Sequence, residues 1–218
     1  MLILKATLFL FVMSLANILL ASPVTKQSKP EWSLIRQADD IQVYTRFYKN
    51  KRIKSAKGVV FITTKMDKLL AILEDIRLLP QWLYQCQSAK TLEQINIVER
   101  HDYIYTNIPW PGWDRDVVVH STFRQNRKTK VVEITFDSLP DKVPLKARVV
   151  RVRTMTGRLL LTPQQDNKIK VTYEVNADPG GRIPRWMVND MVSDFPFYSL
   201  QSLRELVKKE QIKTGLTH

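Results

Sequence analysis

The residues able to do acid–base, nucleophilic or metal chemistry are few and scattered along the chain. The three histidines, His101, His120 and His218, show none of the short spacings that place two imidazoles on one metal ion. The single cysteine, Cys86, has no nearby histidine or second cysteine and is predicted to lie in the core on a helix. Because GxSxG, phosphate-binding-loop and GxGxxG motifs are also absent from the sequence, we predict no metal site, no cofactor and no enzymatic activity.

An apolar stripe near the C-terminus is better suited to bind an apolar molecule than to do chemistry. Met187, Met191 and Phe195 are spaced by four residues, as on one face of a helix, and methionine side chains adapt to irregular apolar surfaces. The pattern predicts a helix from about 184 to 209 with a kink at Pro196. A sheet that curves around such a helix can leave a cavity between the two.

Upstream of this helix, alternating apolar and polar residues predict antiparallel strands. In the last strand, Ile169, Val171, Tyr173 and Val175 share one face, and the sequence DPGG at 178–181 ends it. Further strands are expected around 42–48 and 57–62, and between 92 and 176 with breaks at NIPWPGWD, RQNRKTK, SLPDKVP, an MTG turn and PQQDNK. The predicted fold class is therefore α+β.

Three short helices are also expected, one before the strand around 42–48 and two between the strands around 57–62 and those that begin near 92. Capping patterns at 28–31 and 64–67 each precede apolar residues at helical spacing, and Pro80 can occupy a first helical turn. The apolar residues assigned to the three helices are Trp32 and Ile35, then Met66, Leu69, Leu70 and Leu73, then Trp82 and Cys86.

The N-terminal segment is typical of an export signal. After Lys5, the stretch 6–21 carries no charge and is mostly apolar. It is either a cleaved signal or an uncleaved anchor, and the protein is expected to be exported to the periplasm or secreted. The predicted division is a signal or anchor over 1–21, a linker over 22–29, a domain over 30–209 and a tail over 210–218.

The chain is strongly basic. Its 218 residues include 34 Lys+Arg and 21 Asp+Glu, which give a formal charge of +13. Export and the lack of basic residues interleaved with stacking aromatics argue against nucleic acid as the partner. The charge then indicates either a transient contact with an anionic membrane or a solvated exterior. The basic clusters are Arg46, Lys49, Lys51, Arg52, Lys54 and Lys57; Arg124, Arg127, Lys128 and Lys130; and Lys146, Arg148, Arg151, Arg153 and Arg158.

Five segments of the chain share their residues and order with a known family. They are WSL at 32–34, DIQVYTR at 40–46, Leu73 and Asp75 followed by Pro80 and Trp82, PWPGWDRD at 109–116, and DPGGRIPRW at 178–186 with Asn189. They resemble the steroidogenic acute regulatory-related lipid transfer (START) domain in its exported bacterial form, over about 32–207. The resemblance implies a helix-grip fold, in which a curved antiparallel sheet wraps around a long C-terminal helix and encloses a tunnel for one lipid. The chain departs from many relatives at Leu159, where they carry Trp, so the ligand's shape cannot be carried over.

The resemblance also implies roles at the tunnel mouth. Trp110 and Trp113 of the NIPWPGWD loop belong either to a lipid portal at a membrane or to the core under the loop. Arg115 and Asp116 are implied to form a structural ion pair that fixes this loop. The other residues implied to have a structural role are Asp178, Gly180 and Gly181.

Within the tunnel, the resemblance implies that Met187, Met191 and Phe195 contact the ligand, although ordinary packing of helix on sheet explains them equally well. Asp102, in the strand before the loop, is a candidate to hold a ligand hydroxyl, against the alternative that it faces solvent.

The resulting hypothesis is a monomer that binds a single lipid or sterol-like molecule and presents it at a membrane. The alternatives are an enzyme of the same superfold acting on a hydrophobic ring compound, as aromatic cyclases do, and a basic protein that binds acidic polymers.

Overall fold

The computed structural model describes residues 31–47 and 54–215, and the predicted signal over 1–21 lies outside them. Within them, ten strands and three α-helices follow one another, with a 3-10 turn at Ile76–Leu78 between the first two helices. The helices are α1 (Met66–Glu74), α2 (Leu79–Trp82) and α3 (Arg185–Gly215). The strands are β1 (Ser33–Ala38), β2 (Ile41–Phe47), β3 (Lys54–Thr63), β4 (Cys86–Asn96), β5 (Glu99–Thr106), β6 (Asp114–Gln125), β7 (Val132–Ser138), β8 (Val149–Arg151), β9 (Thr154–Pro163) and β10 (Lys168–Asp178).

The strands form one curved, open sheet in the order β1-β2-β3-β10-β9-β7-β6-β5-β4. Every neighbouring pair in this order is antiparallel, and β8 adds a short parallel pairing to the start of β6. The long helix α3 packs against β2, β3 and β10, and the short helix α2 lies against it. The predicted α+β helix-grip fold is confirmed.

Side-chain alternation explains why α3 lies where it does. Ile169, Val171 and Tyr173 of β10 are buried, as their shared face predicts, and Leu200 and Leu203 of α3 are fully buried in the same core.

Close approach of α3 to the sheet depends on a glycine in β3. A Cβ atom on Gly58 would lie 2.6 Å from Cδ1 of Leu200 and 3.1 Å from Cβ of Pro196. The absence of a side chain at this position therefore lets the helix rest directly on the strand.

The sheet has two ends that matter for function. The loop end consists of the segments 107–113, 139–148 and 179–184, and the hairpin end consists of the turns 96–98 and 126–131. Strand β6 runs from the loop end to the hairpin end, and its 12 residues place the two ends about 40 Å apart.

Several predicted elements are wrong, each because a tertiary contact outweighs a local pattern. Ile35 lies in β1 and not in a helix, since Ser33–Ala38 pairs with β2. Cys86 begins β4 because Gln85 adopts a left-handed backbone (φ 61°) soon after α2 ends. The MTG sequence lies inside β9, where Gly157 makes room for the ring of Phe136.

The two longer helices are confirmed, with differences at their ends. The N-cap position of α1 is Lys65, without a side-chain hydrogen bond, and the hydroxyl of Thr64 has no partner in the described part of the chain. Helix α3 contains Pro196, as predicted, and extends beyond Lys209. In the residues that the structure describes, no helix combines the length and the apolar character needed to cross a bilayer.

Candidate functional site

A cavity of about 520 Å³ lies between the concave face of the sheet, the α1–α2 segment and the first half of α3. Met191 and Phe195 of α3 line it, together with strand residues such as Val119 and Leu159. Met187 is buried, but it does not belong to the lining. The structure thus brings together two of the three residues of the predicted helical stripe. The volume falls in the range of pockets that hold one small apolar ligand.

A buried ion pair interrupts the apolar wall on β5. Asp102 is only 2% exposed, and both it and Arg100 line the cavity. Asp102 accepts hydrogen bonds from Nε of Arg100 and from Oγ1 of Thr91, each 2.7 Å long. Arg100 also donates to the carbonyl of Glu74. Of the alternatives for Asp102, the structure therefore excludes the solvent-facing one. Sequence analysis did not predict Arg100 as a site residue. The signal was its position two residues before Asp102, because residues two apart on a strand share a face.

Two further polar side chains lie in the cavity wall. The indole Nε1–H of Trp82 is buried without a hydrogen-bond partner among the described residues, and Tyr173, which carries a hydroxyl, is 4% exposed. Burial raises the pKa of Tyr173, so the hydroxyl stays protonated and able to donate. Buried polar groups without a partner are rare in proteins, and in a cavity wall they are candidates to bind a ligand. The sequence had placed both residues in the core and had assigned neither of them a polar role.

The cavity reaches the loop end of the sheet, where residues 179–181 and Ile108 line it. Arg115 holds the two loops together, because its guanidinium donates to the carbonyls of Trp113, Pro179 (3.3 Å) and Gly180 (3.1 Å). Gly180 and Gly181 both have positive φ angles, 61° and 65°, which glycine adopts without strain. The amide of Gly180 is also bound by the carboxylate of Asp178, at 2.9 Å.

Arg115 and Asp116 do not form the expected ion pair with each other, because successive residues of a strand point to opposite faces. Asp116, 1% exposed, instead accepts from Arg151 at 2.7 and 3.0 Å and from the hydroxyl of Tyr103 at 3.0 Å. Burial alone would raise the pKa of Asp116, but the hydrogen bonds from Arg151 and Tyr103 lower it overall. Arg151 is buried in this pair, so its assignment to a surface basic cluster is wrong.

Large apolar side chains surround the loop end on its outside. Trp110 is 90% exposed and Trp113 is 61% exposed, which excludes the alternative that either of them fills the core. Neither indole lines the cavity. Trp186, which sequence analysis quoted only as the end of the DPGGRIPRW segment, and Leu145 are also exposed at this end, at 60% and 67%.

The described residues offer little for catalysis. Burial raises the pKa of the Cys86 thiol to about 11, and the thiol donates a hydrogen bond to the carbonyl of Ser88 at 3.6 Å. No group of three or more His, Cys, Asp or Glu side chains in this part of the chain is placed to hold a metal ion.

The START domain family matches residues 21–210, a range that includes every residue lining the cavity. The chain belongs to the START family. A crystal structure of a STAR-related lipid transfer protein from Xanthomonas axonopodis (fragment 25–204) is 30% identical, with a TM-score of 0.75 over 81% of this chain and 98% of that one.

Two other proteins extend the comparison of this START domain. A Pseudomonas aeruginosa protein that is itself uncharacterised is 30% identical over 179 residues, which are 82% of this chain and 88% of that protein. Human StAR-related lipid transfer protein 5 is 13% identical, with a TM-score of 0.74 over 86% of this chain and 90% of that one, and this likeness concerns the fold alone.

Proposed function

We propose that this START domain binds one lipid-like molecule in its internal cavity and exchanges it at a membrane through the loop end. The observation that carries the proposal is the 520 Å³ cavity, whose wall is apolar except for a few specific polar groups. Each methylene that leaves water for such a wall contributes about 0.8 kcal/mol. Apolar burial then supplies most of the affinity, and the STAR-related lipid transfer protein of similar sequence supports a lipid as the ligand.

The hydrogen-bond donors of the wall indicate how the ligand is oriented. Trp82 offers an N–H that finds no acceptor among the described residues, and Tyr173 offers an O–H. A ligand with one or two oxygen acceptors, such as a hydroxyl, ester or carbonyl group, satisfies them. The carboxylate of Asp102 already accepts from Arg100 and Thr91, so it contributes a fixed polar surface that excludes purely apolar molecules from that part of the cavity.

The loop end has the character of a membrane portal. Indole rings favour the boundary between lipid and water, and three of them, Trp110, Trp113 and Trp186, are exposed there. The guanidinium of Arg115 joins the loop that carries Trp110 and Trp113 to residues 179–180 by hydrogen bonds to backbone carbonyls, and loss of these few bonds would let the loops part when they enter a bilayer.

Lipid uptake from vesicles, followed by native mass spectrometry of the re-isolated protein, tests the binding proposal. The wild type is expected to carry one lipid adduct per chain. Val119→Trp places an indole in the cavity wall and is expected to lower occupancy sharply, whereas Phe61→Trp adds a larger ring at a half-exposed position outside the cavity lining and leaves occupancy unchanged. Unoccupied wild-type protein, or equal occupancy in the two variants, contradicts the proposal.

Transfer kinetics test the portal separately. The double variant Trp110→Ser and Trp113→Ser is expected to bind the same amount of lipid at equilibrium but to exchange it with vesicles more slowly, since only the contact with the bilayer is lost. An unchanged exchange rate argues against the portal and leaves the binding proposal standing.

Two other functions find less support. A ring-closing enzyme needs a free acid or base in the cavity, and both carboxylate oxygens of Asp102 already have partners. A protein that binds acidic polymers has no use for an enclosed apolar cavity.

A further inference from the structure

The hairpin end of the sheet carries an exposed apolar protrusion. Ile97, at the tip of the turn between β4 and β5, is 98% exposed, and its neighbours Ile95 and Val98 are 43% and 44% exposed. A soluble protein has no structural reason to hold three large aliphatic side chains in water at the tip of one turn. None of the three lines the cavity, and they lie about 40 Å from its mouth at the loop end.

The turn is ordered, so the protrusion is a fixed feature. The side-chain oxygen of Asn96 accepts from the amide of Val98 at 2.9 Å, and the side chain of Gln94 donates to the carbonyls of Asn96 and Glu99. The amide of Phe123 on β6 donates to the carbonyl of Val98 at 2.8 Å. These bonds hold Ile97 away from the domain and prevent it from folding back onto the sheet.

A basic turn lies directly beside this protrusion. The pairing of Glu99 with Thr122, continued by the bond between Val98 and Phe123, places the tip of the first turn next to residue 124 at the end of β6. In the turn that follows, the side-chain oxygen of Asn126 accepts from the amides of residues 128 and 129, both at 3.0 Å. The end of β6 and this turn together expose four cationic side chains, Arg124, Arg127, Lys128 and Lys130.

These four cations are not neutralised by the protein. Among the described residues none of them forms an ion pair, since the nearby Glu133 binds Arg158 and Glu99 lies beside His120. An aliphatic tip flanked by free cations is complementary to an anionic bilayer, which offers negative headgroups around an apolar interior. A protein partner or a second copy of the chain would need a broad complementary face rather than a narrow protrusion.

We propose that the two turns at the hairpin end form a second membrane-contact surface, in which Ile97 inserts between anionic headgroups and the four cations bind them. A molecule docked in this way keeps its cavity mouth about 40 Å from that bilayer, facing away from it. The hairpin surface is independent of whether the cavity holds a lipid.

A fluorescent label at the tip tests the proposal in the full chain. Ile97→Cys can be labelled selectively with an environment-sensitive dye, because the buried thiol of Cys86 stays protonated. Vesicles of phosphatidylcholine with phosphatidylglycerol are expected to shift the emission to the blue and to make it accessible to a lipid-borne quencher. A label at Lys90→Cys, halfway along β4, is expected to show neither effect. No change at position 97, or the same change with phosphatidylcholine alone, overturns the proposal.

Vesicle flotation of unlabelled variants measures the two contributions. Ile97→Ser is expected to weaken binding to the anionic vesicles about tenfold, while Phe61→Ser, at a half-exposed apolar residue of β3, leaves it unchanged. Lys128→Gln is expected to weaken it about fivefold, and the matched Lys90→Gln to have little effect. If Ile97→Ser weakens vesicle binding no more than Phe61→Ser, and Lys128→Gln no more than Lys90→Gln, binding is not localised to the hairpin end and the proposal is contradicted.

Analytical sedimentation of the same proteins tests whether a second copy of the chain, and not a membrane, binds the hairpin surface. If the wild type dimerises and Ile97→Ser does not, the surface binds a second copy of the chain and the proposal is wrong. Val119→Trp, which is expected to block the cavity, should keep the label response at position 97, so failure of lipid uptake and failure of the hairpin surface are separate results.

Discussion

The buried pair of Asp116 and Arg151 is expected to be a main support of the loop end. The side chains of Asp116 and Arg151 are 1% and 2% exposed, and the guanidinium of Arg151 also donates to the carbonyls of Pro140, Val143 and Pro144 in the segment 139–148. Asp116→Asn removes the charge and keeps the shape. Breaking a buried pair by loss of one partner costs about 3–5 kcal/mol. Since Asn retains one acceptor oxygen for Arg151, we expect a loss near 3 kcal/mol, which lowers Tm by about 6–12 °C in a domain of this size.

The loss should depend on pH in a defined direction. Because the pKa of Asp116 is lower in the folded protein than in the unfolded chain, the pair stabilises the fold at pH values above the unfolded pKa of about 3.9. That stability disappears as the pH falls through the folded pKa and the carboxylate is protonated. The difference in unfolding free energy between wild type and Asp116→Asn is therefore largest at neutral pH and shrinks in strong acid.

Urea unfolding followed by circular dichroism at several pH values measures both quantities. The matched control is Glu133→Gln, which removes a half-exposed partner of Arg158 and is expected to cost less than about 1 kcal/mol. Amide hydrogen exchange should show faster opening of residues 139–151 in Asp116→Asn. A loss below about 1 kcal/mol at neutral pH, or a loss that is the same in strong acid, would refute the assigned role of the pair.

Three further outcomes are expected. Gly58→Ala should destabilise the domain by about 1–3 kcal/mol in thermal unfolding, because its Cβ meets Leu200, and a gain in stability would contradict the close approach of α3. Cys86 should resist a thiol reagent at pH 8 in the native protein and react once urea unfolds it, since a thiol with a pKa of about 11 is roughly one part in a thousand thiolate there. Arg115→Met should speed hydrogen exchange in residues 107–113 and 179–181, and unchanged exchange would show that the loops are held by other contacts.

The sequence predicted the sheet and the long helix because their patterns repeat over many residues. The alternation of apolar and polar residues in β10 determines which of its side chains face α3. Because the pattern extends over many residues, it stays recognisable when one residue departs from it. Ile35, predicted in a helix but found in β1, shows how a short pattern can mislead. A helix-capping pattern beside two apolar residues is a weak signal, and pairing of β1 with β2 provides backbone hydrogen bonds that a short helix cannot match.

The polar groups of the site were harder to predict, because their roles depend on partners distant in sequence. Asp102 is polar and lies on a strand, which by itself indicates solvent, and only the neighbouring Arg100 and Thr91 make its burial possible. Asp116 likewise finds its cation at position 151, 35 residues away and across a loop with no pattern of its own. Trp82 could be assigned to the core, but its indole N–H could not be recognised as an unpaired donor, because that property arises only in the folded cavity.

The order of strands also determines when the domain can fold. Most neighbours in the sheet are close in sequence and can pair as hairpins soon after synthesis, but β3 must wait for β10, whose residues follow it by more than 100 positions. Until that pairing forms, the chain is two separate strand assemblies with exposed apolar faces, and α3, which covers both, is synthesised last. Such non-local closure slows folding and lengthens the time in which the halves can aggregate. The domain should therefore gain its cooperative stability in one late step, and truncation before residue 178 should leave no stable half.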